Sequence, residues 1–134
     1  MPAQPAAKQG DMVQAVDTHI VMVPTPSGPV PTPTPGHVFN GIINGGLSTN
    51  VMIMGRPAAT VGSSAMNQPP HLPIGGPSFQ IPPTNQATIT MGSTTVLING
   101  KGAARNGDPA QTCDDINPAP HGRVIATGTV LIGD

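Results

Sequence analysis

Short aliphatic runs bounded by glycine recur three times along the 134-residue chain. They cover residues 48–55, 93–100 and 127–134. Each run is rich in β-branched and aliphatic residues between turn formers, which predicts a β-strand. A Val-x-Ile pair in each run places two apolar side chains on one strand face, so we expect a small aliphatic core from these pairs. The pairs are Val51/Ile53, Val96/Ile98 and Val130/Ile132.

A second pattern, small-Ala-Ala-x-x-Gly-polar, also recurs three times, at residues 5–11, 57–63 and 102–108. Twice it follows an aliphatic run across a glycine-containing turn, and this order predicts a β-hairpin. The third run ends the sequence and the first Ala-Ala segment begins it. We therefore expect these two halves to pair, so that three hairpins close around a pseudo-threefold axis and leave no open sheet edge.

Long Pro-rich connections separate the hairpins, at about residues 23–46, 64–84 and 109–122. Proline fixes φ, and the alternating prolines of residues 29–35 predict extended polyproline II. A flexible linker is the alternative interpretation. The predicted fold class is all-β: a small cone of three pseudo-threefold β-hairpin repeats, with Pro-rich loops that converge at its tip. We expect one domain over residues 1–134, with its repeats in about 5–134.

The composition restricts what can stabilise such a fold. The chain has 17 Gly, 18 Pro, two Phe, no Trp and no Tyr, so its core is thin. Domains with thin cores commonly need a disulfide, a metal or a partner, and a single cysteine excludes an internal disulfide. Only 8% of residues are charged and the net charge is -1, which argues against nucleic-acid binding. The polar N-terminus does not resemble a signal peptide.

Five side chains are candidate metal ligands, and all lie in or beside the predicted connections: His19, His37, His71, His121 and Cys113. If the connections converge, these side chains converge with them. Zinc prefers tetrahedral nitrogen and sulfur ligands, and a closed site with three His and one Cys would be structural. Imidazole also suits iron, which is the second choice of metal. The alternative interpretation is that the histidines are solvated loop residues.

Several segments together resemble a known family. Pro57-Ala58-Ala59 and Gly102-Ala103-Ala104-Arg105, each after a predicted strand, are similar to the Pro-Ala-Ala-Arg motif of PAAR-repeat proteins. Residues 10–20, 69–71 and 94–101 are similar to the branch that carries a DUF4150-type domain. The resemblance covers about residues 5–134. Thr60 stands where the motif has Arg, and Gly102 stands where it has Pro.

The resemblance implies a β cone whose base sits on the blunt end of a trimeric, β-helical VgrG-like spike, one chain per trimer. It implies one metal at the apex, usually zinc, bound by three His and one Cys. Carried over by position, these ligands are His19, His37, His71 and Cys113, with His121 as a fifth candidate nearer the last strand. Such proteins belong to type VI secretion systems or extracellular phage-tail-like particles. Many carry a toxin domain as an extension, whereas we expect no fused effector domain in this chain; effector cargo is a further candidate partner.

The predicted function is therefore a structural cap that sharpens a spike for membrane piercing, and not an enzyme. We expect it to be made in the bacterial cytoplasm, assembled at the tip of the particle and delivered outside the cell, touching the target membrane only mechanically. The alternatives are a zinc-dependent hydrolase and a Pro-rich extracellular structural module. The outward residues of the three strands and nearby basic residues are the candidate spike contacts: Met52, Leu97, Leu131, Arg56, Lys101 and Arg105.

Overall fold

The computed structural model describes residues 3–115 and 117–133, and these ranges contain only β-strands and irregular segments. The strands are β1 (Gln4–Pro5), β2 (Met12–Val23), β3 (Val30–Gly45), β4 (Met52–Ile53), β5 (Arg56–Pro57), β6 (Ser64–Asn67), β7 (Ser78–Phe79), β8 (Gln86–Ile89), β9 (Leu97–Ile98), β10 (Lys101–Gly102), β11 (Pro109–Gln111), β12 (Gly122–Ile125) and β13 (Leu131–Ile132). The all-β prediction is confirmed. The ends of the predicted domain, Met1 and Asp134, lie outside the described residues. In the described part of the chain, no helix could cross a membrane.

The three predicted hairpins form as two-stranded antiparallel sheets. β4 pairs with β5, and β9 pairs with β10. Their turns, Met54-Gly55 and Asn99-Gly100, have positive φ at both central residues, which is the conformation of a type I′ turn. In the third hairpin β1 pairs with β13, so the two ends of the chain meet as expected.

The three Ala-Ala segments meet in a closed cycle of backbone hydrogen bonds. The Ala7 N–H donates to the Ala104 carbonyl at 2.9 Å, the Ala104 N–H to Ala59 at 3.0 Å, and the Ala59 N–H to Ala7 at 3.0 Å. All three side chains are fully buried. We call these residues the alanine triangle. Each segment donates to one neighbour and accepts from the other, which establishes the pseudo-threefold axis in the backbone itself.

The remainder of the small-Ala-Ala-x-x-Gly-polar pattern builds the turn that follows each segment. In every copy the glycine has positive φ, a conformation that favours glycine. In each copy the polar side chain accepts a hydrogen bond from the backbone N–H three residues earlier. These bonds are Lys8 to Asp11 at 3.0 Å, Thr60 to Ser63 at 2.9 Å and Arg105 to Asp108 at 2.7 Å. The motif thus encodes one turn three times.

The connections between the hairpins form the main sheet. Its antiparallel order is β12-β11-β8-β6-β3-β2-β7, and β12 also pairs with β2. Six strands therefore close into a ring, while β7 pairs only with Val21 and Met22 at the far end of β2. Each connection leaves the alanine triangle as one strand and returns as another: β2 and β3, then β6 and β8, then β11 and β12.

The polyproline II prediction for residues 29–35 was wrong. The prolines of residues 29–35 lie largely within β3, where Pro31 and Pro33 pair with Met22 and Ile20 of β2. β6 covers the opposite edge of β3 only from Gly41 onward. Proline is compatible with such an edge strand when its missing N–H would point away from the ladder. Alternate residues of a strand present their backbone N–H groups to the same side. Prolines at every second position can therefore all meet this condition.

The core has two layers separated by the alanine triangle. Inside the ring lie Val13, Phe39, Ile43, Ile89 and Val124, all nearly inaccessible to solvent. On the hairpin side Ile53, Ile98 and Ile132 pack together with Ala6, Ala58 and Ala103.

The valines of the Val-x-Ile pairs contribute less to this core than expected. Val51 packs partly against the isoleucine cluster, but Val96 and Val130 are 39% and 40% exposed. Val96 and Val130 therefore lie at the rim of the cluster.

The alanine side chains of the triangle are fully buried in the core, so replacing Ala59 with Leu should destabilise the fold. Overpacking of a tight core costs about 1–3 kcal/mol, and a lower midpoint in chemical denaturation would show it. Ala3→Leu, at an exposed position, is the matched control and should leave the midpoint unchanged. Equal midpoints for the two variants would contradict close packing at the triangle.

Candidate functional site

Four buried polar side chains meet at the end of the ring that lies away from the hairpins. Asp17 and His19 are two residues apart on β2 and therefore share its inward face. His71 comes from the segment between β6 and β7, and Cys113 follows β11 closely. One potential ligand atom from each residue lies within 4.8 Å of all the others. Each of the three connections thus contributes to one cluster.

The distances in this cluster suit a tetrahedral metal. Asp17 Oδ2 lies 3.0 Å from His71 Nε2, 3.6 Å from Cys113 Sγ and 4.0 Å from His19 Nε2. Cys113 Sγ and His19 Nε2 are 3.7 Å apart. With zinc–ligand bonds of about 2.0–2.3 Å, tetrahedral ligand atoms lie roughly 3.3–3.8 Å apart. The nitrogen, sulfur and oxygen donors are therefore already spaced for an ion among them.

A β-bulge shapes the strand pair that carries the first two donors. Asp17 pairs with His37, but His19 pairs with Thr34, so Pro35 and Gly36 together oppose Thr18. Gly36 has a φ of 93°, a value that glycine adopts readily. Bulges often re-aim side chains next to functional sites, and this one lies directly beside Asp17 and His19.

The Asp114-Asp115 segment covers the edge of β2 that β12 and β7 leave open. The backbone N–H of Thr18 donates to Asp114 Oδ1 at 2.8 Å, and that of Ile20 donates to Asp115 Oδ2 at 3.0 Å. Asp115 Oδ2 also lies 3.4 Å from His19 Nδ1, a buried atom without a hydrogen bond in the described part of the chain. A carboxylate on the far nitrogen of a histidine is a common support for a metal ligand.

The electrostatics of the cluster also favour a cation. Burial would raise the pKa of Asp17, but hydrogen bonds from His71 and Thr112 hold it below its usual value, so the carboxylate stays charged. Burial and the nearby Asp17 charge raise the pKa of Cys113 to about 11, so its thiol is protonated at neutral pH. A bound metal ion would reverse this, because a coordinating thiol loses its proton.

His37 lies beside the four donors and is not among them. Its ring centroid is 5.3 Å from that of His19 and 5.8 Å from that of His71. Its Nδ1 lies 3.0 Å from the Thr34 carbonyl, and its Nε2 accepts the N–H of Ile74 at 3.3 Å. Burial and the neighbouring His19 lower the pKa of His37, which therefore favours the neutral ring.

His121 reaches the cluster from its outer side. Its Nε2 is 3.3 Å from Asp17 Oδ1, and its Nδ1 is 2.9 Å from Asp114 Oδ2. These three residues form a second, more exposed group with metal-ligand spacing. Of the five ligand candidates, the structure thus brings His19, His71 and Cys113 together and leaves His37 and His121 on opposite margins.

Asp17 was not recognised as a ligand candidate from the sequence. Its spacing from His19 is informative only if both residues lie in one strand, where side chains two apart share a face. The 12-residue strand β2 was not predicted, so that signal was missed.

Five of the six candidate spike contacts lie on the hairpins, beyond the alanine triangle, and Arg105 lies in the turn that follows Ala104. Met52, Leu97 and Leu131 are 56%, 61% and 58% exposed. Arg56 and Lys101 are also exposed. Arg105 differs from them, because its guanidinium donates to both carboxylate oxygens of Asp108 and, at 2.7 Å, to the Gly133 carbonyl.

Comparison with known proteins agrees with this architecture. The chain matches the family model described as the PAAR motif over residues 22–115 and again over residues 79–134. No curated protein and no solved structure gives a match. The two matched segments overlap and together span most of the chain. The chain therefore belongs to the PAAR-motif family, the structural spike-tip proteins of contractile injection systems.

Proposed function

We propose that this chain is a metal-pinned cap that binds the blunt end of a trimeric VgrG-like spike and sharpens it for membrane piercing. The alanine triangle is the observation that supports this most directly. Its cyclic hydrogen bonds give a single chain a threefold base, with hairpins repeated around one axis. A monomer of this shape offers a trimer three similar contacts at once, so one chain caps one trimer.

The docking face is formed by Met52, Leu97 and Leu131. Each is the first residue of its strand and precedes a buried isoleucine, so the three occupy equivalent places in the three hairpins. All are exposed. Exposed apolar side chains grouped in this way commonly mark an interaction surface. A threefold partner can cover all three in the same manner.

Basic residues border this face at two of three equivalent positions. Arg56 pairs with Ile53 and Lys101 pairs with Ile98, while Gln4 pairs with Ile132 in the third hairpin. We assign Arg56 and Lys101 contacts with carboxylates of the spike. Arg105, already bonded to Asp108, has a structural role in its turn.

The metal is one zinc ion per chain, held by His19, His71, Cys113 and a fourth donor, either His37 or Asp17. Imidazole and thiolate donors at tetrahedral spacing suit zinc better than harder ions. A site with four protein ligands has no open position for a reacting water, which favours a structural role over hydrolysis. The ion ties together the far ends of all three connections, and structural zinc contributes on the order of 10 kcal/mol to folding.

Function is then mechanical. The chain is made in the bacterial cytoplasm, is assembled at the tip of the particle and leaves the cell with the particle. A tip tied by backbone bonds at its base and by a metal at its apex transmits force without deforming. The branch with a DUF4150-type domain and the carriage of effector cargo both stay predictions.

Replacing Cys113 with Ser should remove the bound zinc and lower the melting temperature, because the alcohol is a far weaker ligand than a thiolate. Elemental analysis after extensive dialysis, paired with thermal denaturation, measures both effects. Thr94→Ser, at an exposed position near the hairpins, is the control and should retain the metal. A full equivalent of zinc in Cys113→Ser would remove Cys113 from the site.

Replacing Leu97 with Asp should weaken binding to the trimeric spike by tenfold or more, since a charge would be buried at the centre of the interface. Titration calorimetry with the purified spike measures the affinity, and native mass spectrometry measures the stoichiometry. Leu72→Asp, exposed near the metal site, is the control and should bind normally. Three chains per trimer would contradict the threefold match, and normal binding by Leu97→Asp would contradict the docking face.

A further inference from the structure

The fourth metal ligand is the choice that the proposed centre leaves open. We propose that Asp17, and not His37, completes the coordination sphere in this chain. This inference rests on the proposed metal centre and deepens it. It replaces a site of three histidines and one cysteine with a site of two histidines, one cysteine and one carboxylate.

The first support is which ring nitrogen of His19 and His71 the Asp17 carboxylate approaches. Its Oδ2 approaches the Nε2 atoms of His71 and His19, at 3.0 and 4.0 Å, together with the Cys113 sulfur at 3.6 Å. A carboxylate that merely orients a metal-bound histidine contacts the nitrogen that does not bind the metal. Asp115 has that position, 3.4 Å from His19 Nδ1. Asp17 therefore lies on the metal side of the rings.

The second support is that neighbouring groups fix the orientation of the Asp17 carboxylate. Its Oδ1 accepts the Thr112 hydroxyl at 2.5 Å and lies 3.3 Å from His121 Nε2. These contacts hold one oxygen outside the cluster and leave the other directed at the three remaining donors. Support of this kind from neighbouring groups is typical of ligating carboxylates.

The third support is that His37 is already engaged on both nitrogens. Because Nε2 accepts the Ile74 N–H, the proton lies on Nδ1 and is donated to the Thr34 carbonyl. Metal binding through either nitrogen would break one of these bonds. Ile74 follows His71 in the same segment, so we assign His37 the role of holding that segment in place.

Charge balance is the fourth support. A zinc ion with one thiolate and three neutral imidazoles carries a net positive charge, whereas exchange of one imidazole for Asp17 makes the set neutral. Asp17, His19 and His71 are each at least nine-tenths buried. Uncompensated charge is costly in such surroundings, and direct coordination places the compensating charges closest together.

X-ray absorption of the unaltered, zinc-loaded chain is the first test, because it needs no variant that might fail to fold. The expected spectrum fits two imidazoles, one sulfur and one further oxygen around zinc. A fit requiring three imidazoles and one sulfur would overturn the assignment of Asp17. If the chain binds no zinc at all, the proposed metal centre itself fails.

A matched pair of variants gives a signal that a purely structural role would not produce. In the cobalt-loaded protein, thiolate ligands give intense near-ultraviolet charge-transfer absorption. Asp17→Cys should roughly double this absorption per cobalt, because a second thiolate joins the sphere, while His37→Cys should leave it unchanged. The reverse pattern would make His37 the ligand, and no gain in either variant would also overturn the proposal.

The zinc affinity of two variants shows whether Asp17 binds the metal or only orients a residue that does. In competition with a chelator, Asp17→Asn should bind zinc more than about 100-fold more weakly than the parent, whereas His37→Gln should lose less than about tenfold. Loss of an orienting partner costs about 10–100-fold, so a loss in that range for Asp17→Asn would assign Asp17 to support and overturn its coordination. The unaltered chain is measured beside each variant. If the unaltered chain binds zinc, a loss in a variant reports on the substituted residue and not on failure of the metal centre.

Discussion

The closed cycle of backbone hydrogen bonds between Ala7, Ala59 and Ala104 is the constraint on which the rest of the structure depends. It requires three chain segments to approach one another, and the alanine methyl group of each is fully buried. From this cycle the hairpins extend to one side, and the long connections extend to the other. Because the first segment and the last strand must pair to complete the third hairpin, the fold joins the two ends of the chain.

A candidate metal centre lies at the other end of the molecule from the triangle. The ring encloses a core with a single phenylalanine, Phe39, and otherwise aliphatic and small residues. Near the far ends of the connections, the buried residues include the polar side chains of Asp17, His19 and His71. An ion bound by Asp17, His19, His71 and Cys113 would link all three connections by bonds stronger than any of their packing contacts.

The features that could be predicted from the sequence are those encoded by short, repeated patterns. Turn glycines and alternating aliphatic residues predicted the hairpins and the pairing of the chain ends, because such patterns depend on neighbours a few residues apart. The prolines of β3 were misleading, since their compatibility with a strand depends on which edge stays uncovered, and that is a property of the assembled sheet. Asp17 was missed for the same reason: its relation to His19 becomes visible only once β2 is known.

The motif's tolerance of substitution follows from what it encodes. At the position after Ala-Ala the chain has Lys8, Thr60 and Arg105, yet all three backbones make the same turn. Lys8 and Arg105 form ion pairs with Asp11 and Asp108, while Thr60 accompanies Ser63 without charge.

The departure at Gly102 has a local cause, because a Cβ there would meet the Ser93 carbonyl at 2.6 Å. The threefold character thus resides in the main chain and not in the side chains. The side chains remain free to differ, and each connection contributes its own residues to the candidate metal centre.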